Sequence, residues 1–158
     1  MSATSQVILG VIFLMFGCAI YLLFRTKTLN IYQWCSFLGL SKFIDYARAW
    51  VSDWNLPDFV RYSLPDGLYC AAYILIMDAI WHDGDSLIKH FVIIFVPVVS
   101  IGSEIFQYYG LFKGTYDFCD LVFYSVPFIA YILYKYHSFK FNKLNIQRLW
   151  KSILWQWQ

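Results

Sequence analysis

At 158 residues the chain has room for one domain, and its formal net charge is only +2. Hydrophobic residues make up 60% of it and charged ones 14%, too few polar side chains to cover a water-soluble core. The basic residues form no stripe on a soluble domain, so nucleic acid is not an expected partner. Aromatic residues reach 22%, and Tyr and Trp settle at headgroup level, ring in the apolar layer and polar tip in water. The expected fold class is all-α: a polytopic membrane protein.

A helix needs about 20 mostly apolar residues to cross a bilayer. Residues 7–24 meet that condition and are closed by Arg25 and Lys27. No basic region precedes them and no small-residue cleavage site follows, so the segment reads as a retained span, not a cleaved signal. Over 41–54 an amphipathic helix is expected, with Phe43, Ile44, Ala47, Val51 and Trp54 on one stripe. It suits the membrane interface; the alternative is packing onto a partner or back onto the bundle. Ser63-Leu64-Pro65-Asp66-Gly67 reads as a breaker, and the second span is expected over 65–81 with Pro65 in its first turn.

The third and fourth spans are expected over 91–109 and 118–136. Only Gly110 to Asp117 separates them, which makes them antiparallel neighbours. A second amphipathic helix is expected over 146–157, where Ile146, Leu149, Trp150, Ile153, Leu154 and Trp157 share a face. The sum is a single transmembrane domain of about four spans and two interfacial helices. Irregular backbone exposed to lipid would leave N–H and C=O groups unpaired, which is why helices are expected throughout. Six basic residues fall on each side of the membrane. Those spread through the long 25–61 loop weigh less, so both termini are expected in the cytoplasm.

Cys18, Cys35, Cys70 and Cys119 form no CxxC pair and no metal-ligand spacing. A Cys35–Cys119 disulfide is weighed and disfavoured. A metal site from His82, Asp83, Asp85 and His90 is disfavoured too, since His82-Asp83-Gly84-Asp85 has the composition of a turn. No Ser/His/Asp or Cys/His arrangement and no glycine-rich phosphate loop is present, so a hydrolase of the usual kind is not expected.

Ionisable groups in or beside a span are costly and point to function. Topology gathers Asp66, Glu104, Gln107, Asp117 and Asp120 at one membrane face. Glu104 and Gln107 are three residues apart, as are Asp117 and Asp120, so each pair shares a helix face. Asp66, Asp117 and Asp120 stand at expected helix N-termini, where capping alone accounts for an acid. Glu104 resists that account, being inside the third span near its C-terminus. It requires a bound cation, a bound proton or a basic neighbour, and Lys113 and Arg61 are the nearest basic residues by topology. Asp78 is expected to reach the headgroups from about one turn before Trp81.

Glu104-Ile105-Phe106-Gln107, a short loop, and Asp117-Phe118-Cys119-Asp120 before a further span resemble the VanZ-like family of small bacterial membrane proteins. Asp66-Gly67-Leu68-Tyr69-Cys70, with Tyr73 in register, matches a further stretch of that pattern. Gly67, Cys70, Gly114 and Tyr124 stand where the family carries Lys, His, Arg and Asn. The resemblance implies a protein of the bacterial cell envelope, in the inner (cytoplasmic) membrane. Two functions follow. In one the acidic residues bind a divalent cation or a lipid headgroup, with or without catalysis. In the other the chain is a non-catalytic subunit beside another membrane protein, and the acids serve capping and helix contacts.

Overall fold

The computed structural model describes residues 1–82 and 86–155, with side chains as far as His137. Its elements are helices: α1 (Ala3–Phe24), α2 (Asn30–Phe37), α3 (Ser41–Trp50), α4 (Asp58–Ile80), α5 (Leu87–Tyr108) and α6 (Phe118–Trp155). Four of them are long and apolar enough to cross a membrane: α1, α4, α5 and the first part of α6. The chain is therefore all-helical and built as a multi-pass membrane protein. Serine side chains start two spans: Ser2 Oγ accepts from Ser5 N and Ser86 Oγ from Ile88 N, both at 3.2 Å.

Helix α4 is the centre, in contact with α1, α5 and α6. Side-chain pairs fix the directions. Gln6 meets Asp78 while Tyr21 meets Asp66, so α1 runs antiparallel to α4. Gly67 lies against Phe123 and Asp78 against Tyr131, so α6 runs parallel to it. Helix α5 is tied to α4 by the Tyr73 hydroxyl, which donates to Val92 O at 2.6 Å.

Prolines lie inside three spans, Pro65 in α4, Pro97 in α5 and Pro127 in α6. Each lacks an N–H and frees the carbonyl four residues earlier. Pro127 frees the oxygen of Phe123, and a Cβ on Gly67 would stand only 2.9 Å from that atom. Glycine at 67 thus lets the α4 and α6 backbones touch, the small-residue packing that replaces hydrophobic drive between helices in lipid.

Several boundaries differ from expectation. Helix α4 begins at Asp58, not Pro65, and Ser63 to Gly67 is no breaker: Ser63, Pro65 and Gly67 are buried in its wall. Pro65 itself is fully buried there, and proline is tolerated inside a membrane helix where neighbouring structure can satisfy the freed carbonyl. Helix α6 runs unbroken where a span over 118–136 and a separate interfacial helix over 146–157 were expected. No Gly or Pro lies between Tyr136 and Ile146 to stop it. Its 38 residues measure about 57 Å at 1.5 Å each, well beyond a hydrocarbon core of about 30 Å. The side chains of the tail's apolar stripe lie outside the described residues, as do Asp83, Gly84 and Asp85.

The short helix α2 was not anticipated. With α3 it forms a small hairpin at the acidic end of the bundle. Helix α3 turns Ile44 inward, Val51 just beyond it is buried, and Arg48 donates to Leu22 O at 2.8 Å, so it packs back onto α1. Phe43 and Trp54, expected on the same stripe, are instead exposed. Trp34, Phe37, Tyr46 and Trp50 join them in an aromatic surface suited to the headgroup layer. Lys27 Nζ stands 2.6 Å from Asp45, which also accepts from the Tyr32 hydroxyl at 2.7 Å. Those two bonds, Lys27 first, hold the Asp45 carboxyl below its usual range. The same bond raises Lys27. All four cysteines are free, with no Cys35–Cys119 bridge.

Candidate functional site

The ends of α1 and α5 and the starts of α4 and α6 meet at one face. Glu104 is 6% exposed, and its Oε2 accepts one backbone bond, from Asp117 N at 3.3 Å. Asp117 Oδ1 in turn accepts from Cys119 N at 2.8 Å and caps α6. Asp120 follows one turn on, and its Oδ1 is buried without a partner. Asp66 accepts from the Tyr21 hydroxyl at 3.2 Å and lies within electrostatic reach of Asp120 and Glu104. Gln107 packs against Gly114, whose φ of +149° suits only glycine and whose Cβ, if present, would clash with the amide at 2.7 Å.

Capping therefore accounts for Asp117, but not for Asp66, which lies inside α4. Neither basic residue expected beside Glu104 compensates it. Arg61 lines a separate cavity with Arg48 and Trp54, and its Nε is buried without a partner. Among the described residues no ion pair reaches Asp66, Glu104, Asp117 or Asp120. The nearest cationic influence is Arg25, which acts on Asp66 while its guanidinium rests over the rings of Tyr21 and Tyr62 at 4.6 and 5.0 Å. Chain order alone did not reveal Arg25, because it had been assigned to closing the first span.

A cavity of about 320 Å³ runs inward from this face, lined by Asp66, Tyr69, Cys70, Tyr73, Ser100 and Tyr124. Asp66, Tyr69, Cys70 and Tyr73 belong to the stretch singled out in the sequence. Tyr124 and Ser100 face them from α6 and α5. Among the described residues no three His, Cys, Asp or Glu side chains stand close enough to hold a metal ion. The acids converge without forming a cage. A carboxylate beside tyrosine rings suits an organic cation, which a ring face attracts as well as a carboxylate does.

A second polar cluster at the opposite face was missed. Asp78, expected to reach the headgroups, is 3% exposed and sits where α1, α4, α5 and α6 meet. It accepts from Gln6 Nε2 at 2.8 Å and the Tyr131 hydroxyl at 3.2 Å, with Lys135 Nζ at 2.8 Å and Lys89 Nζ at 3.6 Å. Lys89 also donates to Trp81 O at 2.7 Å. Matching the membrane depth of Gln6, Lys89 and Lys135 to that of Asp78 would have exposed it.

No family model, no curated protein and no solved structure matches the chain. Functional assignment rests on the site itself.

Proposed function

We propose that this chain is a VanZ-like protein of the bacterial inner membrane whose acidic face binds a cation, namely the ammonium of a lipid headgroup. The observation that carries the reading is Asp66, opening into a tyrosine-walled cavity within electrostatic reach of Asp120 and Glu104. Buried carboxylates without a basic partner are costly, and a bound cation repays that cost. The three tyrosines offer ring faces worth up to about 2 kcal/mol each to a desolvated cation. A divalent metal is the weaker candidate, because the acids do not converge on one point.

A second reading, a membrane subunit of a larger complex, is favoured by one feature: the exposed aromatic surface of α2 and α3, where Phe37 is 92% and Trp50 77% exposed. One experiment separates the two. Wild type, Asp66→Asn and Glu104→Gln are reconstituted in phosphatidylethanolamine and phosphatidylglycerol, extracted, and weighed by native mass spectrometry. Headgroup binding predicts a phosphatidylethanolamine adduct on the wild type that both variants lose while staying folded. Equal adducts on all three proteins would defeat the proposal. A second protein chain retained from native membranes by all three would favour the subunit reading.

A further inference from the structure

Away from the acidic face, a cavity of about 250 Å³ lies between α1, α4 and α6. Leu9, Phe13, Ala71, Ile74, Leu75 and Pro127 give it apolar walls, and Gln6 and Asp78 close one end. Two features of that end point to what enters. Gln6 is 4% exposed, and its Nε2 is spoken for by the Asp78 carboxylate, which accepts and cannot donate. Its Oε1 is thereby left buried with no partner. Such an orphan acceptor is expensive in hydrocarbon, and an arriving O–H or N–H satisfies it.

The second feature is charge. Among the described residues of this cluster, Asp78 carries one formal negative charge against the two positive charges of Lys89 and Lys135, a surplus of one. Lys89 is locked inside, its side chain 8% exposed, whereas that of Lys135 is 39% exposed and open to an outside anion. Gln6 Nε2 and Lys135 Nζ each lie 2.8 Å from an oxygen of the same carboxylate. One small headgroup can therefore reach both residues.

We propose that this cavity is a selective lipid site, taking one acyl chain of a lipid whose headgroup joins a phosphate to a free hydroxyl. The chain fills the apolar walls, the phosphate meets Lys135, and the hydroxyl donates to Gln6 Oε1. Any groove facing lipid holds some hydrocarbon, so selectivity is the content of the proposal. It is independent of the acidic face, with opposite charge at the other end of the bundle.

The test uses the full chain reconstituted in equal parts of dioleoyl phosphatidylcholine and dioleoyl phosphatidylglycerol, then extracted in mild detergent. Retained lipid is counted by native mass spectrometry, and thermal unfolding reports whether each variant is folded. Both lipids bring the phosphate and only phosphatidylglycerol the hydroxyl, so wild type should retain phosphatidylglycerol over phosphatidylcholine by about fivefold, the worth of one neutral hydrogen bond to Gln6 Oε1. Gln6→Leu should lose the preference while still retaining lipid, whereas Lys135→Gln should weaken retention of both lipids. Ala71→Phe fills the cavity from α4 and should retain neither. Should it misfold, Ala130→Phe does the same from the more exposed α6. Excess soluble glycerol phosphate should displace nothing, because the acyl chain is part of the ligand; displacement would mean that the headgroup alone binds and would overturn the site as drawn. Equal retention of the two lipids by wild type, or unchanged phosphatidylglycerol on the filled variants, would overturn it as well.

Discussion

Replacing Asp78 with Asn takes one charge from the point where four helices meet. The amide keeps an acceptor for Gln6 or Tyr131, but it can no longer balance Lys89, which is buried and, among the described residues, then keeps Trp81 O as its partner. Removing one side of a buried ion pair costs about 3–5 kcal/mol in soluble proteins. Hydrogen bonds between membrane helices average only about 0.6 kcal/mol. The stranded Lys89 therefore dominates, and a loss near 3 kcal/mol is expected, read as stability to SDS in mixed micelles. Lys135→Gln should cost less than about 1 kcal/mol, since that side chain is 39% exposed and reaches water. Lys89→Met added to Asp78→Asn should recover most of the loss, because no buried charge is then left alone. If Lys135→Gln costs as much as Asp78→Asn, or the double variant recovers nothing, the assignment of Lys89 as the stranded charge is wrong.

Gly67→Ala should destabilise by about 1–3 kcal/mol, since the new methyl meets a backbone oxygen at 2.9 Å that cannot step aside. Gly10→Ala should cost less, its nearest obstacle being the Ile76 side chain at 2.7 Å and its nearest backbone atom, Ala72 O, standing farther off at 3.2 Å; reversed melting temperatures in detergent would refute this ranking. The Asp45 carboxyl is held below its usual range, so its contribution is complete above the unfolded value of about 3.9 and fades as pH falls through the lower folded value. Protection factors of the α2 and α3 amides should accordingly fall on acidification in wild type, and Asp45→Asn should remove that pH dependence. If both termini are cytoplasmic, as the distribution of basic residues predicts, a maleimide that cannot cross membranes should label Cys35 from outside the cell; labelling only after lysis would invert the topology.

The first span was legible because nothing polar interrupts it and the third because its apolar run from Phe91 to Val99 is unbroken, and the hairpin of α5 and α6 followed from a short loop. Helix α4 was misread at its start because Pro65 fits a first turn as well as an interior, and only burial by α1 and α6 decides between them. The gathering of Asp66, Glu104, Asp117 and Asp120 was readable, since topology alone puts three helix ends on one side. What their carboxylates touch was not. Arg25 reaches Asp66 through tyrosines, and Asp78 bonds a residue 72 positions away, a juxtaposition created by packing. The cavities were likewise invisible, since each is the gap left where three helices diverge.

The two charged ends make the molecule an electric dipole along the membrane normal. Counted along the chain, the end bearing Glu104 carries six basic residues against seven acidic ones, a net −1. The end bearing Asp78, with the tail, carries six against three, a net +3. An interior-negative potential is worth about 2.3 kcal/mol per elementary charge at 100 mV. Turning the protein over would move both ends against that field, a cost of about 9 kcal/mol on this simple count. An interior-negative membrane would thus favour the orientation that leaves the negative end, where Asp66 opens, on its outer side.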